Sequence, residues 1–509
     1  MSRKVTDKAV VNRPARHVKT IIIGSGFAGL GLAIRLTEQG RRDYLVLERG
    51  GDVGGTWRDN TYPGAACDVP SQLYSYSFAL NPNWSRSFSR QGEIQRYIQA
   101  VSQRYGVRDR HIFDCDVTSA RWNNDRSVWE IESTQGSFTA DTVVCAVGAL
   151  CEPALPDIKG ISEFEGEVFH SARWNHDADL TGKRVAVIGT GASAIQIVPA
   201  IAPEVDHLDI YQRTAPWLLP RYDRPYTTAE RLAFQYVPGF QRMYRAGVYA
   251  ARETQVLGLA KFPGLMRLFE MIAKGKLRHE IRDRELRAKV TPNFRIGCKR
   301  MLISNDYYPT LTRPHVDVVT DPIAEVRKNS IRTEDGTERE IDALIVATGF
   351  HVTDSPTYDT IVGRDGRTLS EVFDDSGQQG YKGSSIANFP NMFFLLGPNV
   401  GLGHSSMVYM IESQINYIAD ALATVDRMKL RTVEVRRDVQ DAYNKDLQAK
   451  LAGSVWLTGG CSSWYLDKHG NNTTLWPDFT FEFRRMTKIF DVAAYDTSTF
   501  RADQEAVAP

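Results

Sequence analysis

The stretch TIIIGSGFAGLGLAIRL, residues 20–36, passes from an apolar run of strand type through Gly24, Gly26 and Gly29 into a helix-type period. Strand, glycine turn and helix in that order form the fingerprint of a dinucleotide-binding unit. The first glycine permits the tight turn, the second lets backbone N–H groups approach a pyrophosphate, and the third lets helix and strand pack closely. Residues 184–201, RVAVIGTGASAIQIVPAI, repeat the pattern with Gly189, Gly191 and the small Ala194. One match fits any strand-to-helix turn, but two, 165 residues apart, predict two dinucleotide sites in one chain. The expected contacts are Ser25 and Ala28 in the first loop, and Thr190, Ala192, Ser193 and Gln196 in the second.

Counting 24 residues on from the first glycine of each loop reaches Glu48, at the end of YLVLE, and Arg213, at the end of DIYQR. A carboxylate there accepts hydrogen bonds from a free ribose diol, whereas a guanidinium pairs with a 2′-phosphate. The first site therefore suits FAD, and the second, with Thr214 beside Arg213, suits NADPH in place of NADH.

Two more apolar runs, DTVVCAVG (141–148) and DALIVATGF (342–350), end in small residues and read as strands returning from an inserted sheet to its parent. The expectation is an α/β protein with two Rossmann-like dinucleotide-binding domains. Residues 1–150 and 385–509 make a discontinuous FAD domain, 151–219 and 296–384 the NADPH domain, and 220–295 a helical insertion in the latter. The insertion carries Phe234, Tyr236, Phe240, Tyr244, Tyr249 and Phe262. Aromatic rows usually make cores, so the preferred reading is a helical subdomain that buries its own aromatics. The other reading is a cover over the active site or an edge that meets a membrane.

A chain of 509 residues, 42% hydrophobic and 24% charged, can bury two or three sizeable cores. Its 62 Lys and Arg against 61 Asp and Glu give no general attraction to nucleic acid or an anionic surface. The N-terminus lacks the apolar core of a secretory signal, and no apolar run reaches the roughly 18 residues that span a bilayer. Cys67, Cys115, Cys145, Cys151, Cys298 and Cys461 form no CxxC pair, which argues against a disulfide framework, a metal site or a dithiol centre. These features point to the cytoplasm.

Two dinucleotide sites suit a disulfide reductase as well as a monooxygenase, and the missing CxxC argues against the former. Residues 54–68, GGTWRDNTYPGAACD, follow the pattern GGxWxxxxYPGxxxD, and Phe164, Gly166, His170 and Trp174 give FxGxxxHxxxW ahead of the second glycine loop. Lys299-Arg300 stands in CKRMLISNDYYPTL, and FLLGPNVGLGHSSMVYMIESQINYIADAL places Ser405 or Ser406 as the N-cap of an amphipathic helix. In these motifs the chain, from about residue 18 to 492, resembles the type I Baeyer–Villiger monooxygenases, which are class B flavin-dependent monooxygenases. Asn175 departs from that family's Pro or Asp, while Trp174 distinguishes the motif from that of N- and S-oxidising relatives.

By that resemblance Thr56, Trp57 and Asp68 line the isoalloxazine, with Tyr74, Val117 and Met407 as further FAD contacts. Lys299 assists at the NADP 2′-phosphate, Trp464 touches NADP, His170 steers the linker, and the capped helix aims its positive end at the flavin. Arg300 and Asp68 are the implied catalytic pair. The implied reaction uses NADPH and O2 to insert oxygen beside a ketone carbonyl through a C4a-peroxyflavin, giving an ester or lactone. N- or S-oxidation with the same cofactors, or a non-catalytic flavin-binding redox sensor, are the competing readings. Substrate identity and oligomeric state are not written in the sequence.

Overall fold

The computed structural model describes residues 15–499. Strand Arg16–Ile23 is apolar over its second half because it is covered on both faces: Ile22 joins one core, and Val18, Ile21 and Ile23 the other. It pairs in parallel with Tyr44–Leu47 and with Gly136–Cys145, Ile21 standing opposite Leu45 and Val143. The order across this eight-stranded sheet is Ile361–Val362, Val117–Asn123, Val128–Ser133, Gly136–Cys145, Arg16–Ile23, Tyr44–Leu47, His111–Ile112, and Met392–Phe394 also pairs with Gly136–Cys145. Helix Phe27–Glu38 crosses helix Met407–Arg427 so closely that a Cβ on Gly31 would stand 2.7 Å from Ile415 Cδ1.

The second sheet has five parallel strands, ordered Val316–Val319, His207–Tyr211, Arg184–Ile188, Ala343–Val346, Glu167–His170. It too is covered twice, with Val185 and Val187 in one core and Ala186 and Ile188 in another. Both runs read as returning strands lie next to the fingerprint strand of their own sheet. One boundary needs correction. Ile361–Val362, placed by the sequence reading in the second domain, pairs with Val117–Asn123 of the first sheet, so the chain has crossed back before residue 361. A two-residue strand is too short to show a period.

The segment from Phe164 to Trp174 is also more than a linker, since Glu167–His170 forms the edge strand of the second sheet. A Cβ on Gly166 would lie 2.4 Å from the Asp342 carbonyl, and Trp174 meets Phe169 edge-on with ring centres 4.9 Å apart. His170 is buried, its Nδ1 accepts from Ala172 N at 3.1 Å, and burial lowers its pKa. The Asn175 amide donates to Glu167 at 3.1 Å and closes the following turn.

Residues 220–295 fold as helices Thr228–Tyr236, Phe240–Glu253, Met266–Glu280 and Arg284–Lys289, the first opened by a reciprocal capping box between Thr227 and Glu230. Phe234 packs on Phe240 and Tyr244, with ring centres 5.6 and 5.2 Å away, but the group is part of a larger core and not one of its own. Phe234 is buried in the core around helix Phe27–Glu38, Phe240, Tyr244 and Tyr249 pack against it, and Tyr236 and Phe262 face solvent. Polar docking explains this: Gln241 Nε2 donates to Gln72 Oε1 (2.8 Å) and Asn81 O (2.7 Å), and Arg245 Nη1 to the carbonyls of Gln72 (2.7 Å) and Leu73 (3.1 Å).

The cysteine reading is corrected as well. Cys298 and Cys461 form a disulfide, with Cα atoms 6.1 Å apart across 163 residues of sequence, while Cys67, Cys115, Cys145 and Cys151 are free thiols. Tertiary contact makes this pair, as residue 295 meets the 459 region through Arg295 N donating to Gly459 O at 2.9 Å.

Candidate active site

Both glycine loops open into one cavity of about 1620 Å³. That exceeds the roughly 300–1,000 Å³ typical of a single small-ligand pocket. Gly24 and Gly189 have φ of +100° and +118°, and a Cβ on them would lie 2.8 and 2.4 Å from the carbonyls of Ala146 and Ala347, the small residues just beyond the returning strands. At the third fingerprint position, a Cβ on Gly29 would collide with the Gly24 carbonyl at 1.9 Å.

On the first wall, buried Glu48 accepts from Ser25 N (2.7 Å), Gly50 N (2.8 Å) and Arg58 Nη1 (2.6 Å). His111 bridges Ser25 Oγ (2.9 Å) and the Val107 carbonyl (2.9 Å), and burial lowers its pKa, so it stays neutral at pH 7. Trp57 Nε1 donates to Tyr74 OH at 2.9 Å. Ser406 caps helix Met407–Arg427, its Oγ accepting from Val408 N at 3.3 Å, and Met407 at the positive end lines the cavity.

The second wall is more open. Gly191, Ala192 and Arg213 are exposed, and a Cβ on Gly191 would meet nothing within 4 Å. Thr190 Oγ1 donates to the Thr214 carbonyl at 2.9 Å, tying the loop to the strand end that carries Arg213. Lys299 lies over the Phe294 ring at 5.3 Å, and burial together with the Arg213 charge pulls its pKa down. Two cations set side by side in this way suit a dianion.

Between the walls, Arg300 and Asp68 form a two-pronged ion pair, with Nε to Oδ2 at 2.7 Å and Nη2 to Oδ1 at 2.8 Å. Burial opposes the charge on Asp68, yet the Arg300 charge and the two hydrogen bonds hold its pKa below the usual carboxylate range. The Asp68 charge raises the pKa of Arg300 in turn, so this guanidinium acts as a fixed charge and not as a proton donor. Its Nη1 has only a 3.4 Å contact to the Leu402 carbonyl, which leaves that edge available to the cavity. Burial pushes the neighbouring Cys67 thiol up to about 12, removing it as a nucleophile.

Of the residues singled out in the sequence, Gly24, Ser25, Gly26, Ala28, Glu48, Thr56, Trp57, Asp68, Tyr74, Val117 and Met407 line the cavity from the first half. Gly189, Thr190, Gly191, Ala192, Ser193, Gln196, Arg213, Thr214, Lys299, Arg300 and Trp464 line it from the second half and the segment after it. Gly29 and Ala194 lie behind the loops and act through packing. Phe164, Gly166, His170 and Trp174 are away from the cavity wall. Gln196 joins the halves, its Oε1 accepting from Tyr62 OH and Ala66 N, both at 3.2 Å. Sequence reasoning missed Arg252, which donates from the insertion to the Asp68 carbonyl at 3.4 Å, and Arg58; nothing distinguishes either from surface arginines in the sequence.

Residues 21–233 match the family described as pyridine nucleotide-disulphide oxidoreductase. A "Baeyer-Villiger monooxygenase" of Streptomyces coelicolor is 50% identical over 480 residues, covering 94% of this chain and 92% of that protein. Another of that name from Pseudomonas aeruginosa is 49% identical, covering 95% and 92%. The chain belongs to the Baeyer–Villiger monooxygenase family. The crystal structure of cyclohexanone monooxygenase from Rhodococcus sp. Phi1 bound to NADP+ superposes with a TM-score of 0.85 at 27% identity, covering 96% of this chain and all of that one. This Baeyer–Villiger monooxygenase family member is thus an enzyme of α/β class with two Rossmann-type halves, as its paired fingerprints imply. No helix among the described residues is long and apolar enough to cross a membrane.

Proposed function

We propose that the first half holds FAD, that NADPH lies across the second, and that the enzyme uses O2 to convert a ketone into an ester or lactone. In this reading the FAD domain is discontinuous and the NADPH domain carries the helical insertion; the two separate sheets support the division, with the return crossing ahead of residue 361. NADPH supply makes the cytoplasm the expected compartment.

The residues present fit both groups. Gly26 and Gly191 leave backbone close to the cavity with no side chain in the way, as a pyrophosphate requires. The hydroxyls of Ser405, Thr473 and Thr474 are buried on the cavity wall without a protein partner, which suits a ligand rich in polar edges. Bound FAD would supply the redox chemistry, accepting hydride from NADPH and activating O2.

The chain's own work is orientation and charge. Arg213 and Lys299 would hold the 2′-phosphate, and Glu48 the ribose of the first nucleotide. Asp68 fixes the plane of Arg300 by occupying Nε and Nη2, which leaves Nη1 as the edge that would stabilise negative charge developing on the oxygen of an attacked carbonyl. Asp68 balances the Arg300 guanidinium, and Arg252 beside the pair adds a further positive charge that would favour the anion as it forms. This Arg300–Asp68 pair between the two nucleotide walls is the observation that carries the reading.

NADPH-dependent O2 uptake with and without a cyclic ketone, followed by product analysis, tests it. Uptake should be stimulated by the ketone and yield a lactone. Stimulation by amines or sulfides with no ester or lactone from any ketone would overturn the carbonyl reading.

A further inference from the structure

Helix Met266–Glu280 is apolar on two opposite sides. Its inner face buries Met266, Ala273 and Leu277, but its outer ridge is Leu268, Met271 and Ile272 instead of polar residues. Phe262 and Leu265, in the approach to the helix, are exposed as well, and the five residues are 42–64% exposed. Lone exposed apolar residues are ordinary, whereas a row along one helix and its approach marks a contact surface.

The charge around it selects the partner. Residues 220–295 hold 16 Lys and Arg against 7 Asp and Glu, a net of +9 in a chain whose total is +1. Lys274 and Lys276 pair with Glu270 and Glu280, while Arg267 and Arg278, at 100° and 120° from the buried face by helical geometry, are exposed with no acidic partner among the described residues. An apolar ridge edged by unpaired arginines fits a bilayer surface bearing anionic headgroups, with the ridge at the acyl boundary and the arginines at the phosphates. A second copy fits poorly, because two-fold docking would bring two such positive insertions together.

We propose that the outer ridge of Met266–Glu280 docks this enzyme peripherally on anionic membrane surfaces. No residue of the ridge lines the cavity, so docking and catalysis are separable.

The test is flotation of the flavin-loaded protein with vesicles of phosphatidylcholine alone or of phosphatidylcholine and phosphatidylglycerol at 7:3. The mixed vesicles should carry at least tenfold more protein, and raised salt should weaken the effect. Arg267→Glu with Arg278→Glu should cut binding more than a hundredfold, at about fivefold per unit of charge. Leu268→Asp with Met271→Asp should abolish it, and both variants should keep flavin content and NADPH oxidation. Equal recovery with the two vesicle types, or variants that still float, would overturn the proposal. A dimer in sedimentation velocity that Leu268→Asp dissociates would overturn it in favour of a second copy.

Discussion

The two glycine loops share one backbone plan and differ in how far they are closed. In the first, Ser25, Phe27 and Ala28 are buried and the Glu48 carboxylate already has three donors; in the second, Gly191, Ala192 and Arg213 stand open and two cations crowd each other. A preformed, enclosed site loses little entropy on binding and releases its ligand slowly, whereas an open, charged one captures and exchanges. On the proposed assignment, the same fingerprint would serve a resident cofactor in the first half and a visiting one in the second.

The sharpest way to break this contrast is a methyl group in each loop. Gly29→Ala places a Cβ 1.9 Å from the Gly24 carbonyl, so the first loop cannot keep its shape and the protein should be colourless by flavin absorbance. Gly191→Ala meets nothing within 4 Å, so flavin content should be normal and only the KM for NADPH should rise. Equal flavin loss in the two variants would end the distinction between closed and open sites.

Next in size is Arg300→Ala. Loss of one donor to a developing oxyanion lowers rates roughly 10^2–10^3-fold, so ester formation should fall at least that far. Flavin reduction by NADPH, read by rapid mixing, should persist, and Arg300→Lys should not restore the rate because it lacks the planar fork. Near-normal ester yield from Arg300→Ala would remove this residue from the chemistry.

Arg213→Ala should raise the KM for NADPH by about 1.5–3 kcal/mol of lost contact, roughly ten- to a hundredfold, with the KM for NADH little changed. The smallest effect is on pH dependence. Lys299 loses its proton at lower pH than an ordinary lysine, because burial and Arg213 both oppose its charge, so the KM for NADPH should climb on the alkaline side. Removing Arg213 raises the Lys299 pKa, and in Arg213→Ala that climb should move to higher pH. An unmoved alkaline limb would show that the two cations do not share a ligand.

What was legible in the sequence was local or repeated. Gly24 and Gly189 announce themselves because a positive φ beside a strand end admits little else, and Glu48 and Arg213 because equal offsets place them at equivalent strand ends. Asp68 and Arg300, 232 residues apart, could be joined only through resemblance, since an ion pair leaves no spacing rule. The same holds for Cys298–Cys461, for Arg252 reaching from the insertion, and for the two-residue strand Ile361–Val362. The insertion's aromatics misled for a related reason: periodicity shows that a helix has an apolar face, not which core that face enters.

The interrupted first sheet has a consequence for synthesis. Every strand of the second sheet lies between residues 167 and 346, so that sheet can close as soon as its last strand emerges. The first sheet waits. Val143–Cys145 pairs with Met392–Phe394, which follows some 250 residues later, about 12–50 s at ordinary elongation rates. Helix Met407–Arg427, which covers Phe27–Glu38, comes later still. For that interval the half made first offers an open strand edge and a bare apolar helix face, while the half made second is complete. The N-terminal domain is therefore the last to be finished, and it is where a nascent chain depends on protection from its neighbours.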